Sequence, residues 1–310
     1  MRVLFLGTPE FAVPSLRALA AEYNLLAVFT QPDRPKGRGK KIVESPVKQA
    51  AVALGIRVLQ PERVRRSPNP ELIESLAPEL AVVVGYGQII PQNIIDIPKH
   101  GIVNVHASLL PKYRGAAPIQ WAIANGETRT GVTIMQIDAG LDTGDMLAAQ
   151  IANIEEDETA PELSARLADI GAELLIKTIR QMEDGMAHRE KQQESDATLA
   201  PILRKEDGLI DWNRTAREIY DRMRGFTPWP GAYTSFRGGQ LAISRARVAD
   251  GSGLVPGQLR AVKKQLFAGS GENTGLELLE VRPAGKNRMS AEAFLNGYSV
   301  GENEFFGSAK

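Results

Sequence analysis

Short apolar runs recur along the first half of the chain, at Arg2–Leu6, Leu25–Phe29, Arg57–Leu59, Leu80–Val84, Ile102–Val105 and Val132–Ile137. Stretches with helical spacing, such as Val13–Tyr23 and Pro46–Leu54, lie between several of them. Alternation of this kind predicts an α/β domain with a doubly wound, mostly parallel, Rossmann-like sheet. Leu80-Ala81-Val82-Val83-Val84 is apolar throughout, as a central strand buried on both faces must be. Ligands of such sheets bind beyond the carboxyl ends of the strands. Asn104, His106 and the "GYGQ" turn at 85–88 fall at such ends.

The pattern then changes. Leu163, Leu167, Ile170 and Leu174, continued by Leu175, Ile179 and Met182, predict a long amphipathic helix over Glu158–Met182. From Glu183 to about Asp196 the chain is polar and aperiodic, which reads as a linker. Asn213 or Thr215 is placed to cap a helix running to Arg224, closed by Gly225 and Pro228. Short strand-like runs follow at Ala232–Phe236, Leu241–Val248, Gln258–Val262 and Leu276–Val281, as in a small barrel or sandwich. The division expected is a catalytic domain over 1–184, a linker over 185–203 and a second domain over 204–310.

Composition narrows the chemistry. The chain has 310 residues, enough for two domains, with 43% apolar and 24% charged residues. It has no cysteine, which excludes disulfides, zinc–thiolate centres and thiol nucleophiles. No apolar run approaches the roughly 18 residues of a membrane span. The opening Met1–Gly7 reads as a strand rather than a targeting segment, so a soluble, cytoplasmic protein is expected.

Net charge is zero but unevenly placed. Residues 201–310 hold 16 basic and 12 acidic side chains, and residues 1–200 hold 21 and 25. Within that acidic half, "RPKGRGKKIVESPVK" (34–48) carries six basic residues and one acid. Most charge runs are solvated loops. A basic cluster in an acidic domain also fits contact with a polyanion.

After the first strand comes "GTPEFAVP", with Gly7 alone where a dinucleotide fingerprint needs three glycines, and this disfavours a nicotinamide dehydrogenase. His106 is one of only three histidines. Asn104 stands two residues before it, so in a strand both side chains share a face and aim two N–H donors at one volume. A developing oxyanion needs such a pair. "IMQIDAGLDTGDML" (134–147) leaves a strand for a glycine-rich loop and presents Asp138, Asp142 and Asp145. One of these beside His106 would hold its ring and favour its charged form. The same loop also reads as a polar turn. A metal site is disfavoured, with no H-E-x-x-H motif and no second clustered His. A Ser108–His106 hydrolase is disfavoured because G-x-S-x-G is absent.

The stretch "NVHASLLPKYRGAAPIQWAI" with the downstream "GVTIM" and "GLDTGDML" resembles the signature of the 10-formyltetrahydrofolate-dependent formyltransferases. The opening "FLGTPEFAVPSL", the basic segment "FTQPDRPKGRGKK" and the later "IDW", "PWPGA" and "PAGKNRMSAEAFLNG" are similar to the branch of that family that acts on aminoacyl-tRNA. The resemblance covers nearly the whole chain. It implies transfer of a formyl group from 10-formyltetrahydrofolate to the α-amine of methionine on initiator tRNA, without a metal. A monomer is expected. It implies catalytic roles for Asn104, His106 and Asp142, and folate contacts from Ser108, Leu109, Leu110, Pro111, Tyr86 and Gly87. It implies tRNA contacts from Lys36, Arg38, Lys40 and Lys41 and an OB-like β-barrel in the second domain. Arg222, Arg224, Arg245, Arg247, Lys263 and Lys264 are candidates for a second basic surface there. A formyltransferase for a small amine, a deformylase and an inactive RNA-binding relative share the catalytic half. The basic segment and the second domain separate them from the RNA-directed branch.

Overall fold

The computed structural model describes residues 1–36, 41–251, 253–301 and 303–307. The chain groups into two units, one of residues 1–118, 129–153 and 162–201, the other of residues 119–128, 154–161 and 202–310.

The first unit is built on a seven-stranded sheet. Its strands are β1 (Arg2–Gly7), β2 (Asn24–Phe29), β3 (Val58–Leu59), β4 (Leu80–Val84), β5 (Ile102–His106), β6 (Arg129–Gln136) and β7 (Met146–Asn153). The spatial order is β7-β6-β5-β4-β1-β2-β3. β1 to β5 pair in parallel, with Phe5 beside Val82 and Val83 beside Asn104. β6 and β7 run antiparallel to their neighbours and finish one edge. All five residues of β4 are buried, as their uninterrupted apolar run requires. The helices Val13–Glu22 and Pro46–Ala53 fall where spacing predicts them. The long helix runs over Ala160–Glu183. Gly171 lets it lie close to β5, since a Cβ there would stand 2.9 Å from Val105 Cγ1.

Four elements differ from the sequence reading. β7 has only scattered buried positions along an alanine-rich edge, so its alternation is diluted. Helices Asn69–Leu76 and Pro118–Ala124 are short, and the first is preceded and followed by proline. The segment 185–203, expected as a linker, is bonded into the first unit through Pro201. Leu199–Ala200 pairs in parallel with Arg114–Gly115, and Met146 and Glu190 form an antiparallel bridge. Polar residues without periodicity form this brace because it is held by backbone and amide hydrogen bonds rather than by an apolar face.

The second unit holds a six-stranded antiparallel sheet that includes Ala232–Phe236, Gly239–Asp250, Leu259–Val262, Gln265–Gly269 and Thr274–Pro283. Helix Ala216–Gly225 begins at Thr215, whose hydroxyl accepts from Glu218 N–H while Glu218 returns a bond to Thr215 N–H. Its core includes Trp212, Phe236, Phe294 and Phe306. Trp212 stacks on Phe306 at 5.2 Å between centroids and donates Nε1–H to Thr234 Oγ1 at 3.0 Å. Among the described residues no helix is long and apolar enough to cross a membrane.

Candidate active site

β5 carries Asn104 and His106 to the carboxyl end of the sheet on one face. His106 is 5% exposed and Asn104 8%. The Asn104 side-chain amide makes no hydrogen bond among the described residues. The amide is nevertheless reached by solvent, which leaves it able to donate to a ligand. Both nitrogens of the His106 ring have assigned surroundings. Nε2 bonds the carbonyl oxygen of Tyr113 at 3.0 Å, and Nδ1 stands 3.7 Å from Asp142 Oδ2. A carbonyl only accepts, so Nε2 carries a proton and Nδ1 is the nitrogen that faces chemistry.

Asp142 sits in the loop after β6 with φ +52°. Its Oδ2 accepts from Gly115 N–H at 2.8 Å. The other two aspartates do different work. Asp138 Oδ1 accepts from Gly140 N–H at 2.9 Å and Thr143 Oγ1 at 2.7 Å, closing the loop on itself. The carbonyl of Asp145 accepts from Gln136 N–H at 2.8 Å. Asp142 is therefore the aspartate that reaches His106. Among the described residues no group of three His, Asp or Glu stands placed to hold a metal ion.

The turn after β5 is held from within. Ser108 is fully buried and donates to Lys112 O at 2.6 Å, so its hydroxyl is not paired with His106. Thr133 Oγ1 donates to Ser108 O at 2.7 Å and accepts from Leu110 N–H at 3.2 Å. Leu110 is buried, while Leu109 and Pro111 are half-buried. Gly87 follows β4 with φ +79°. Tyr86, just beyond the end of β4, is buried. Its ring packs in the apolar core with Leu4, Phe29 and Ile94, and burial pushes its hydroxyl pKa upward. Only its carbonyl reaches the strand-end turns, accepting from Thr8 Oγ1 at 3.1 Å and Gln31 Nε2 at 3.0 Å.

Sequence reasoning assigned no role to the brace behind this site. Tyr113 N–H donates to Thr198 Oγ1 at 2.9 Å, and Ala116 N–H to Ala200 O at 2.9 Å. Gly115 has φ +120°, and a Cβ there would stand 2.7 Å from Ala200 O. The 198–200 segment thus fixes the loop that supplies both the Tyr113 carbonyl and the Gly115 N–H. No periodicity or motif in the polar stretch could have announced this.

The basic segment forms a hairpin of Arg34–Lys36 against Lys41–Val43, with Lys36 opposite Lys41. Arg38 and Lys40 lie outside the described residues. The base of the hairpin is clamped. Lys48 Nζ is 2.5 Å from Asp33 Oδ2 and 2.9 Å from Glu44 Oε1, and Gln60 Nε2 donates to Asp33 Oδ1 at 2.7 Å. The Lys48 and Gln60 bonds hold the Asp33 carboxyl below its ordinary value. The second basic surface is largely committed internally. Arg224 is buried against Asp221, while Arg245, Arg247 and Lys264 pair with Glu280, Glu277 and Glu292. Arg222 is half-buried with its guanidinium 4.8 Å from the Phe226 ring centroid.

The arrangement offers an amide donor, an imidazole nitrogen and a carboxylate beyond the strand ends, while the Ser108 hydroxyl is bonded to Lys112 O. This suits acyl transfer to an amine. Residues 1–179 match the family "Formyl transferase" and residues 202–299 match "Formyl transferase, C-terminal domain". The chain belongs to the formyl transferase family. A methionyl-tRNA formyltransferase of Solibacter usitatus is 56% identical over 309 residues, covering 99% of both chains. A methionyl-tRNA formyltransferase of Caldanaerobacter subterraneus is 48% identical over 307 residues, 97% of this chain and 98% of that one. Among solved structures, the N-formyltransferase of Helicobacter canadensis, in complex with folinic acid and dTDP-3-aminofucose, superposes with TM-score 0.66 at 20% identity over 89% of this chain and 98% of that one. HypX of Aquifex aeolicus in complex with tetrahydrofolic acid superposes with TM-score 0.61 at 16% identity over 100% of this chain and 51% of that one. These two likenesses speak for the fold.

Proposed function

We propose that the chain transfers the formyl group of 10-formyltetrahydrofolate to the α-amine of methionine carried by initiator tRNA. The observation that carries this reading is the 56% identity over 99% of both chains to a relative named for this activity. The geometry of the site supports it. The formyl donor is a co-substrate, and the free Asn104 amide with His106 Nδ1 suits a formyl oxygen that gains negative charge.

Asn104, His106 and Asp142 are the catalytic set. The methionine amine attacks the formyl carbon, a C–N bond forms, and the carbonyl oxygen takes the electron pair. Asn104 Nδ2–H and protonated His106 Nδ1–H stabilise that oxygen. Asp142 attracts the imidazolium and takes part in removing the proton from the attacking nitrogen. The C–N bond to the folate then breaks and the folate nitrogen is protonated. Ser108, Leu109, Leu110, Pro111 and Gly87 line the folate side, with Tyr86 contributing its backbone alone.

Lys36, Arg38, Lys40 and Lys41 contact tRNA phosphates, with Arg38 able to bond in bidentate fashion. Residues 1–184 carry the chemistry, 185–203 brace it, and 204–310 form an OB-like, RNA-facing domain. The protein acts as a cytoplasmic monomer.

Formyl transfer to methionyl-initiator tRNA, methionyl-elongator tRNA and a sugar-nucleotide amine, measured in parallel, tests the reading. Transfer to the initiator alone supports it, with binding that weakens steeply as salt rises. Turnover on the sugar nucleotide with none on tRNA would overturn the RNA assignment and keep the oxyanion chemistry.

A further inference from the structure

Gln192 lies between the two family matches, which end at residue 179 and resume at 202. It stands in the stretch that reads as linker. Its Nε2 donates to two carbonyls of one loop, Asp142 O at 2.8 Å and Gly144 O at 2.8 Å. Its Oε1 accepts from Arg114 Nε at 3.0 Å. Both amide protons are thus spent on the backbone that carries Asp142.

The conformation being held is an uncommon one. Asp142 has φ +52°, which aspartate tolerates better than most residues but which the free chain populates sparsely. An ordinary negative φ would swing its carboxylate away from Gly115 N–H and His106 Nδ1. The clasp on the flanking carbonyls opposes that swing. Arg114 sets the sense of the clasp. It is 4% exposed, and a guanidinium donor at Oε1 excludes the flipped amide, which would turn an oxygen onto two carbonyl oxygens. Its ion pair to Glu194 is at 2.9 Å, but the Glu194 side chain is 81% exposed, so the pair contributes little by itself. Arg114 and Gly115 therefore hold Asp142 from two sides. Gly115 bonds the carboxylate directly, and Arg114 acts through Gln192.

We infer that Gln192 is a positioning residue for Asp142: its amide, oriented by Arg114, selects the left-handed backbone that places the Asp142 carboxylate against His106 Nδ1. The inference rests on formyl transfer as the activity and adds a residue from outside both family matches.

The test is Gln192→Glu. It keeps the side-chain size and the acceptor for Arg114, and it replaces both donors with oxygen. The expected result is a fall in kcat of roughly 100-fold, the scale of a misplaced catalytic group, with KM for tRNA and folate unchanged. In an Asp142→Asn background the same change is expected to cost little, because the charge to be positioned is gone. Amide hydrogen exchange across 140–144 is expected to quicken in Gln192→Glu. Wild-type kcat, an equal loss in the Asp142→Asn background, or unchanged exchange overturns the inference. If near-ultraviolet circular dichroism shows Gln192→Glu unfolded, Gln192→Ala is put through the same comparisons. A wild-type chain without formyl transfer would overturn the activity, and the exchange measurement would then decide the clasp by itself.

Discussion

His106 donates Nε2–H to the carbonyl of Tyr113 at 3.0 Å, which fixes where the proton on the ring resides. Nδ1 is thus the nitrogen turned toward the site, and it stands 3.7 Å from Asp142 Oδ2. The Coulomb attraction of an imidazolium to that carboxylate is strengthened because the His106 side chain is almost wholly removed from water.

Asp142→Asn isolates this relationship. The amide keeps an oxygen for Gly115 N–H, so the loop is retained and the charge is lost. We expect kcat to fall roughly 100- to 10,000-fold, with thermal stability little changed. Single-turnover formyl transfer beside a melting curve checks it. A mild loss of rate would show that the carboxylate only holds the loop.

Asn104→Ala addresses the free amide. Because the Asn104 side chain bonds no described residue, its truncation deletes no side-chain hydrogen bond among them and should leave the fold intact. Removal of one oxyanion donor costs roughly 100- to 1000-fold in rate. We expect that loss in kcat, and wild-type turnover would remove Asn104 from the mechanism.

Thr133→Val tests the support of the folate-side turn. Thr133 is fully buried and serves Ser108 O and Leu110 N–H together. Valine matches its shape and leaves both backbone groups unpaired, at a cost of about 2–3 kcal/mol. We expect a lower melting temperature and weaker folate binding, read by calorimetry. Full stability would mean that water replaces the hydroxyl.

Much of this was legible along the chain, because some local signals survive folding unchanged. The apolar run Leu80–Val84 is β4 residue for residue, since no amphipathic alternative suits five apolar positions. Thr215 and Glu218 form the capping box at the start of their helix. Asn104 and His106 share a face because strand period is two. Long-range matters were not legible. Gln192 and Thr198 act on residues that the chain passed many positions earlier, with polar side chains that carry no pattern. Arg245 and Arg247 read as a basic surface only until strand pairing sets glutamates beside them. Tyr86 stands among glycines in a strand-end turn, and its ring nevertheless turns into the core.

The base of the basic hairpin gives a final prediction with a defined pH dependence. Asp33 precedes the hairpin and Lys48 follows it, so their ion pair joins the two ends. The partner bonds lower the Asp33 value relative to the unfolded chain. A lowered carboxylate contributes stability that is present above its unfolded value, about 4, and is lost as pH falls through the lower folded value. Asp33→Asn should therefore differ from wild type at neutral pH and converge with it in acid. At neutral pH we expect a several-fold higher KM for tRNA, with kcat and the KM for folate unchanged, because the clamp stands at the hairpin and, among the described residues, no bond joins it directly to Asn104, His106 or Asp142. A change in kcat would instead tie the clamp to the chemistry, through Gln31 and the Tyr86 carbonyl that it bonds.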